Sequence, residues 1–239
     1  MAKRADATPG TRALVGRRAA RSYPLTPAPS GASVEDVRIR DRLESGFPVF
    51  SFEFFPPKTP EGDAKLWEAL EELRGLSPAF VSVTWGAGGS TRARTVDLTR
   101  RIKAELGIEA MAHLTCTGAS ADEIGDALTT LREAKVQNIL ALRGDPPKGS
   151  DRFERPKDGF GFASELVGYV KARGDFCVGA ACYPEGHVEA SSKYEDLHNL
   201  KKKVDAGVDF LITQLFFDNR VYFDFVDRAR AAGIHVPII

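Results

Sequence analysis

Six short apolar runs, each followed by a longer segment with helical periodicity, constrain the fold of this chain most. The runs lie at 49–55, 79–85, 110–114, 138–142, 176–181 and 209–214. Apolar runs of this length, bounded by turn residues, are typical of buried strands. Because strand and helix signals alternate, the sequence predicts an α/β fold in which helical crossovers join parallel strands.

The segments between the runs carry apolar residues at helical spacing. The positions i, i+3, i+4 and i+7 are apolar in two of them, at Leu66, Ala69, Leu70, Leu73 and at Ile124, Ala127, Leu128, Leu131. Glycine precedes three of the strands, at Gly107, Gly207 and Gly233. At these positions a left-handed residue can end a helix without a Cβ penalty.

Polar side chains stand at or near the carboxyl end of every predicted strand. They are Glu53, Thr84, His113, Asp145, Tyr183 and Gln214, about one βα unit apart. In a (β/α)8 TIM barrel these strand ends share the face that carries the chemistry. A doubly wound sheet would spread them along an open edge, and its dinucleotide-binding form needs a G-x-G-x-x-G that is missing after the first strand. The barrel is favoured.

The strand count predicts that the barrel is incomplete. Six strands are present and residues 235–239 begin a seventh, whereas a barrel of eight needs about 50–60 residues more. We expect about six and a half βα units within 33–239, without the last strands and helices, and interpret the sequence as truncated.

The first 32 residues differ from the rest. They lack hydrophobic periodicity, contain several prolines and carry six basic residues against Asp6 alone. We predict a disordered basic tail over 1–32 rich in Ala, Pro and Arg, then a short helix that begins near Ser33 and ends at Gly46. A targeting role for the Arg-rich start is the alternative.

Composition excludes several functions. Basic and acidic residues balance at 33 each, and the body beyond the tail is net acidic, so no basic face for nucleic acid is expected. No apolar run approaches the roughly 20 residues of a membrane span. The cysteines, Cys116, Cys177 and Cys182, lack C-x-x-C spacing. They predict neither a disulfide framework nor a metal site, and they favour a cytoplasmic location.

The most informative motif is F-E-F-F-P-P at 52–57, which places Glu53 among aromatic residues on a predicted buried strand. Burial without a partner cation raises the pKa of a carboxyl group, which would suit a general acid at neutral pH. A structural glutamate bonded inside the barrel is the alternative.

The segment L-R-G-D-P-P at 142–147 repeats that layout around Asp145. Gly144 would let a flat ligand approach the backbone. Arg143 beside Asp145 could form a plain ion pair, but the position at a strand end favours a site.

Three further features carry weaker signals. The Gly-rich loop at 84–91 could hold an anion at a helix N-terminus. His113 could be a core histidine, and the polar segment 196–203 could be a solvated helix face.

Taken together, the motifs resemble the methylenetetrahydrofolate reductase family from about Phe47 to Ile239, in its compact bacterial form. The segments that carry the resemblance are F-E-F-F-P-P, H-L-T-C at 113–116, L-R-G-D-P-P, Y-P-E-G-H at 183–187 and K-K-K-V-D-A-G-V-D at 201–209. They match in order and spacing.

The resemblance implies non-covalent FAD at the carboxyl face, NADH or NADPH as electron donor, and reduction of 5,10-methylenetetrahydrofolate to 5-methyltetrahydrofolate in one-carbon metabolism and methionine biosynthesis. It implies that Glu53 is the general acid, that Asp145 stabilises an iminium cation and adjusts the flavin potential, and that both contact the folate with Gln214. The flavin-contacting positions would be Thr84, His113, Arg143, Gly144, Asp145, Phe162, Ala163, Tyr183, His187, Ala190, Asp196, Asn199, Lys202 and Lys203, with the two lysines near the pyrophosphate. A homo-oligomer is also expected.

Three other functions stay open at this point. A flavin-free reductase of the same family is one, and an inactive fragment that serves as a binding module is another. A barrel lyase with a Schiff-base lysine is disfavoured, because no predicted strand ends in lysine.

Overall fold

The computed structural model describes residues 37–46, 48–85, 92–146, 149 and 152–239. Within these ranges six parallel strands form one sheet in chain order. They are β1 (Ser51–Phe54), β2 (Phe80–Val83), β3 (Ala110–Thr115), β4 (Asn138–Leu142), β5 (Cys177–Cys182) and β6 (Phe210–Thr213). The sheet curls into a half-barrel, so the prediction of an incomplete (β/α)8 barrel is confirmed.

Helices alternate with the strands as the periodicity predicted. They are α1 (Ile39–Glu44), α2 (Pro60–Arg74), α3 (Arg92–Arg101), α4 (Ala121–Glu133), α5 (Ala163–Lys171), α6 (Lys193–Asp205) and α7 (Asn219–Ala231), and a π-helical turn at Ile102–Leu106 extends α3. Among these helices, no stretch combines the length and the apolar character that a bilayer-spanning segment needs. The predicted tail over 1–32 lies outside the described residues. The predicted helix start near Ser33 is wrong, because Arg38 is extended at the N-cap and α1 begins only at Ile39.

Local sequence explains where the helices begin and end. Ser120 and Glu123 form a reciprocal capping box at the start of α4, which satisfies two backbone N–H groups that the helix leaves unpaired. The glycines at 107, 207 and 233 all have positive φ angles, of 66°, 114° and 77°. The prediction that they end helices is therefore confirmed.

A seventh strand begins beside β6, also as predicted. Leu211 pairs in parallel with Ile238. The backbone N–H of Leu211 donates to Pro237 O at 2.8 Å, and that of Thr213 donates to Ile239 O at 2.7 Å.

Apolar side chains pack on both faces of the sheet. On the concave face lies the inner cluster, formed by Ile39, Phe80, Met111, Leu140, Cys177 and Phe210. Larger clusters between the sheet and the helices fill the convex side. Phe210 fits because β5 has Gly179 opposite it: a Cβ on that glycine would lie 2.6 Å from the Phe210 ring.

A buried polar network, which the sequence analysis did not predict, closes the amino-terminal end of the half-barrel. The Asn138 side chain accepts from Ile39 N at 2.9 Å and donates to Val37 O at 2.8 Å and to Glu109 Oε1 at 2.9 Å. The Lys103 ammonium lies 3.1 Å from Glu109 Oε2, with both side chains almost fully buried. Burial raises the pKa of Glu109, and Lys103 opposes that shift. The network ties α1 across the base of the sheet.

We predict that Gly179→Ala lowers the free energy of unfolding by about 1–3 kcal/mol, because the added methyl group overpacks Phe210. The matched control is Gly168→Ala inside α5, where an added Cβ meets nothing within 4 Å. There alanine should stabilise the protein by about 0.5–1 kcal/mol through helix propensity. Urea denaturation measures the free energy of unfolding of both variants. A change of the same sign in the two would contradict the overpacking of Phe210 by a Cβ at position 179.

Candidate active site

The carboxyl ends of the first three strands bring Glu53, Ser82 and His113 together. The Ser82 hydroxyl donates to Glu53 Oε2 at 3.4 Å, and His113 Nε2 lies 3.5 Å from the same oxygen. The register explains the arrangement, because Glu53 pairs directly with Ser82 across β1 and β2. Alternate residues of a strand share a face, so Phe80, Ser82, Met111 and His113 all point into the concave side.

His113 is a buried histidine whose ring nitrogen faces this group. Its side chain is 6% exposed, and its Nε2 has no hydrogen-bond partner among the described residues. Burial lowers the pKa of His113 to about 4, so the imidazole is neutral at physiological pH.

The expected burial of Glu53 is wrong. Its side chain is 52% exposed, and β1 alternates exposed and half-buried residues. Within the described part of the chain β1 pairs only with β2 and so forms one edge of the sheet. The carboxyl group therefore opens toward the mouth of the half-barrel. Burial is not the property that would suit Glu53 to act as a general acid.

The turn after β4 is built around Gly144 and Thr117. Gly144 has φ +86°, and a Cβ there would lie 2.6 Å from Thr117 Oγ1 and 3.0 Å from Thr115 Cβ. The Thr117 hydroxyl lies 3.2 Å from both Arg143 O and Asp145 O, to which it can donate. Glycine is needed because of this crowding within the protein, whereas the sequence had suggested close approach of a ligand.

The plain ion pair between Arg143 and Asp145 that the sequence left open does not form, because Arg143 binds Glu189 instead. Its two terminal nitrogens each lie 2.6 Å from a carboxylate oxygen of Glu189, and its guanidinium lies 5.1 Å from the Phe153 ring centre. Hydrogen bonding to Arg143 lowers the pKa of Glu189. Asp145 is exposed at the rim.

The loop after β5 holds Tyr183 and His187 against each other. Their ring centres are 4.6 Å apart, edge to face. The N–H of His187 donates to Asp196 Oδ2 at 3.3 Å, and that of Ala190 donates to His187 O at 3.0 Å. Burial is the main cause of the raised pKa of Tyr183, and Asp145 and Asp196 add to it. The loop is thus internally bonded and faces the turn at Asp145.

The other predicted cofactor residues are more dispersed. Phe162 is 64% exposed at the N-cap of α5, next to Ala163, and Asn199 and Lys202 are exposed on α6. Lys203 points inward instead: its ammonium donates to Ala181 O at 2.8 Å, and burial lowers its pKa.

Backbone hydrogen bonds to the neighbouring strand fix two of the predicted residues at the strand ends. The N–H of Gln214 donates to Cys182 O at 2.8 Å while its side chain is exposed, and that of Thr84 donates to Phe54 O at 2.9 Å. The predicted anion-binding loop lies mostly at 86–91, outside the described residues.

Sequence reasoning missed Ser82, Thr117 and Glu189. Ser82 follows the alternation of β2 inward and could have been found from the register. Thr117 and Glu189 lie in loops, where no periodicity indicates which way a side chain points.

The matching family model covers residues 38–239 and is described as methylenetetrahydrofolate reductase. The chain belongs to the methylenetetrahydrofolate reductase family. A family member from Salmonella typhimurium, "5,10-methylenetetrahydrofolate reductase", is 46% identical over 189 residues, which are 79% of this chain and 62% of that protein. One from Arabidopsis thaliana, "Methylenetetrahydrofolate reductase (NADH) 1", is 44% identical over 213 residues, 84% of this chain and 36% of that protein. The chain therefore spans between about a third and three fifths of these two relatives.

Solved structures of low sequence identity share the fold. A putative phosphonomutase from Burkholderia cenocepacia matches 83% of this chain and 88% of its own with a TM-score of 0.57 at 12% identity. An uncharacterised Clostridium thermocellum protein, whose structure is described as binding two copies of 5-methyl-5,6,7,8-tetrahydrofolic acid, matches 84% of this chain and 68% of its own with a TM-score of 0.55 at 15% identity. At such identities the likeness concerns the barrel fold alone.

We predict that acid destabilises the protein through His113. Its pKa is depressed in the folded state, so the unfolded chain binds the proton more tightly. Stability is then complete above about pH 6.5 and falls by up to about 3 kcal/mol as the pH approaches 4. Urea unfolding at a series of pH values should show a smaller slope in His113→Gln than in the wild type.

The control for this series is His198→Gln, which alters an exposed residue of α6. It should keep the wild-type slope. An identical slope in His113→Gln and the wild type would mean that His113 is not the group that loses stability in acid.

Proposed function

We propose that this chain carries the site of a reductase that converts 5,10-methylenetetrahydrofolate to 5-methyltetrahydrofolate, with FAD bound non-covalently and NADH or NADPH as donor. The observation that carries the proposal is the group of Glu53, Ser82 and His113 at one rim, in a chain of this family. The wider setting would be one-carbon metabolism and methionine biosynthesis, in a cytoplasmic homo-oligomer.

The residues at the rim fit a flavin. The buried Nε2 of His113 has no partner among the described residues and can bond a polar ring edge. Tyr183 offers an aromatic surface nearby, and the exposed Lys202 suits a pyrophosphate. When bound, the flavin would accept hydride from the nicotinamide and supply it to the folate. The protein's own groups supply orientation and protons.

Glu53 would deliver the proton that opens the five-membered ring of the folate to the reactive iminium. A general acid must reach the reacting nitrogen directly or through one water, and a carboxyl group that is 52% exposed at the mouth can do so. Ser82 orients its Oε2.

Asp145 and Gln214 would act at the far side of the folate. The exposed carboxylate of Asp145 at the end of β4 would stabilise the cation electrostatically. Gln214, exposed at the end of β6, would hydrogen-bond the pterin. Two carboxylates three βα units apart thus have separate tasks, one in proton transfer and one in charge stabilisation.

We predict that Glu53→Gln slows folate reduction by about 10²–10⁴-fold, the usual contribution of a general acid. Reduction of bound flavin by NAD(P)H should be nearly unchanged, because that half-reaction needs no protonated folate. Stopped-flow absorbance of the flavin separates the two half-reactions. Glu68→Gln, on the exposed face of α2, is the control, and equal losses in both half-reactions would exclude the general-acid role.

We predict that Asp145→Asn raises the flavin midpoint potential and weakens folate reduction, because a negative charge beside the flavin disfavours its anionic reduced form. Spectroelectrochemical titration measures the potential. Asp126→Asn on the exposed face of α4 should leave it unchanged. If potential and folate rate both stay at wild-type values in Asp145→Asn, the residue is not part of the site.

The absorption spectrum of the purified protein distinguishes the flavin-dependent enzyme from a flavin-free reductase of the same family. A flavin spectrum supports the proposal. A colourless protein that still reduces folate would overturn the FAD assignment alone.

A further inference from the structure

Arg143 and Glu189 form a two-armed ion pair at the rim. Both N–O distances are 2.6 Å, the parallel geometry in which guanidinium and carboxylate bind best. Arg143 has 24% of its side chain exposed and Glu189 has 52%. The pair joins the turn after β4 to the loop after β5.

Glu189 is held in place by its own loop. Its backbone N–H donates to His187 Nδ1 at 3.1 Å, and the His187 ring packs edge to face on Tyr183. The N–H of Ala190 also donates to His187 O. Hydrogen bonds within the loop therefore hold Glu189 at the position where its carboxylate binds Arg143.

Asp145 also lies close enough to Arg143 for the two charges to interact. Asp145 is two residues away, across the turn at Gly144, yet the two side chains form no ion pair. Electrostatic influence connects them nevertheless: Glu189 is the main cause of the raised pKa of Arg143, and Asp145 adds to it. The same Asp145 charge raises the pKa of Tyr183, while Arg143 lowers it. The Tyr183 phenol thus reports the balance between Asp145 and Arg143.

We propose that Glu189 is a positioning residue: by binding both arms of Arg143 it keeps that guanidinium away from Asp145, whose charge stays available at the rim. This rests on the proposed function, in which Asp145 acts on folate and flavin. In this proposal Glu189 acts through Arg143.

The physical reason is competition between two carboxylates for one guanidinium. A partly buried cation that loses one partner turns to the next anion within reach, because an unpaired charge there is costly. In Glu189→Gln the amide keeps the size of the side chain but loses the charge and one acceptor. Arg143 then pairs with Asp145 and neutralises it.

The first test uses the chain itself, labelled with 13C at tyrosine Cζ. In Glu189→Gln the NMR-detected pKa of Tyr183 should fall relative to wild type, because Arg143 moves toward Asp145. Glu185→Gln changes an exposed glutamate of the same loop, for which the described residues provide no ion pair. It should leave the Tyr183 titration unchanged. An unchanged Tyr183 pKa in Glu189→Gln overturns the proposal.

The second test uses the flavin-loaded protein. Glu189→Gln should slow the folate half-reaction about tenfold and shift the flavin potential in the same direction as Asp145→Asn, and Glu189→Asp should restore part of both. Adding Asp145→Asn to Glu189→Gln should cost little more, since the charge is already neutralised. Additive losses would mean that Glu189 acts independently of Asp145.

The two tests separate the two claims. Wild-type, flavin-loaded protein that reduces no folate overturns the proposed function. An unchanged Tyr183 titration overturns the positioning role by itself, because it requires neither flavin nor folate, and the double variant shows whether a fall arises through Asp145.

Discussion

The register between β1 and β2 is the constraint on which the candidate site depends. Glu53 pairs with Ser82, and Ser82 pairs with Met111. Because alternate residues share a face, Glu53, Ser82 and His113 all point to the concave face. A slip of one residue in β1 would turn Glu53 outward and bring its aromatic neighbours inward. Apolar packing fixes the register, since Phe52 and Phe54 pack against the convex-side cluster that includes Leu66, Leu70 and Val81.

The two ends of the half-barrel differ in how their polar groups are satisfied. At the amino-terminal end Lys103, Glu109 and Asn138 are mutually bonded and buried, which stabilises the base. At the carboxyl end His113 Nε2 is buried without a partner among the described residues, and Asp145 and Gln214 are exposed. Of these rim groups only His113 Nε2 is both buried and unpaired, whereas Asp145 and Gln214 are open to solvent, so the base contributes more internal bonding than the rim.

Much of this fold follows from sequence periodicity, but the site follows only in part. Apolar runs located all six strands, and the spacing of polar residues located the rim, because both depend on local patterns. The exposure of Glu53 did not follow, since a motif rich in phenylalanine looks buried wherever its strand lies in the sheet. The partner of Arg143 did not follow either: Glu189 lies 46 residues later, and only the tertiary structure shows which anion is closer. The inward direction of Lys203 did not follow either, because a run of three lysines does not indicate which of them points into the protein.

The inner cluster limits how deeply a molecule can enter the half-barrel. Phe210 fills the space opposite Gly179, and Ile39 of α1 belongs to the same buried cluster, so side chains occupy the concave face at the level of that cluster. A molecule that contacts Glu53 therefore meets the strand ends and the loops that follow them, and not the middle of the strands. Recognition of its shape then depends mainly on residues that no strand periodicity specifies.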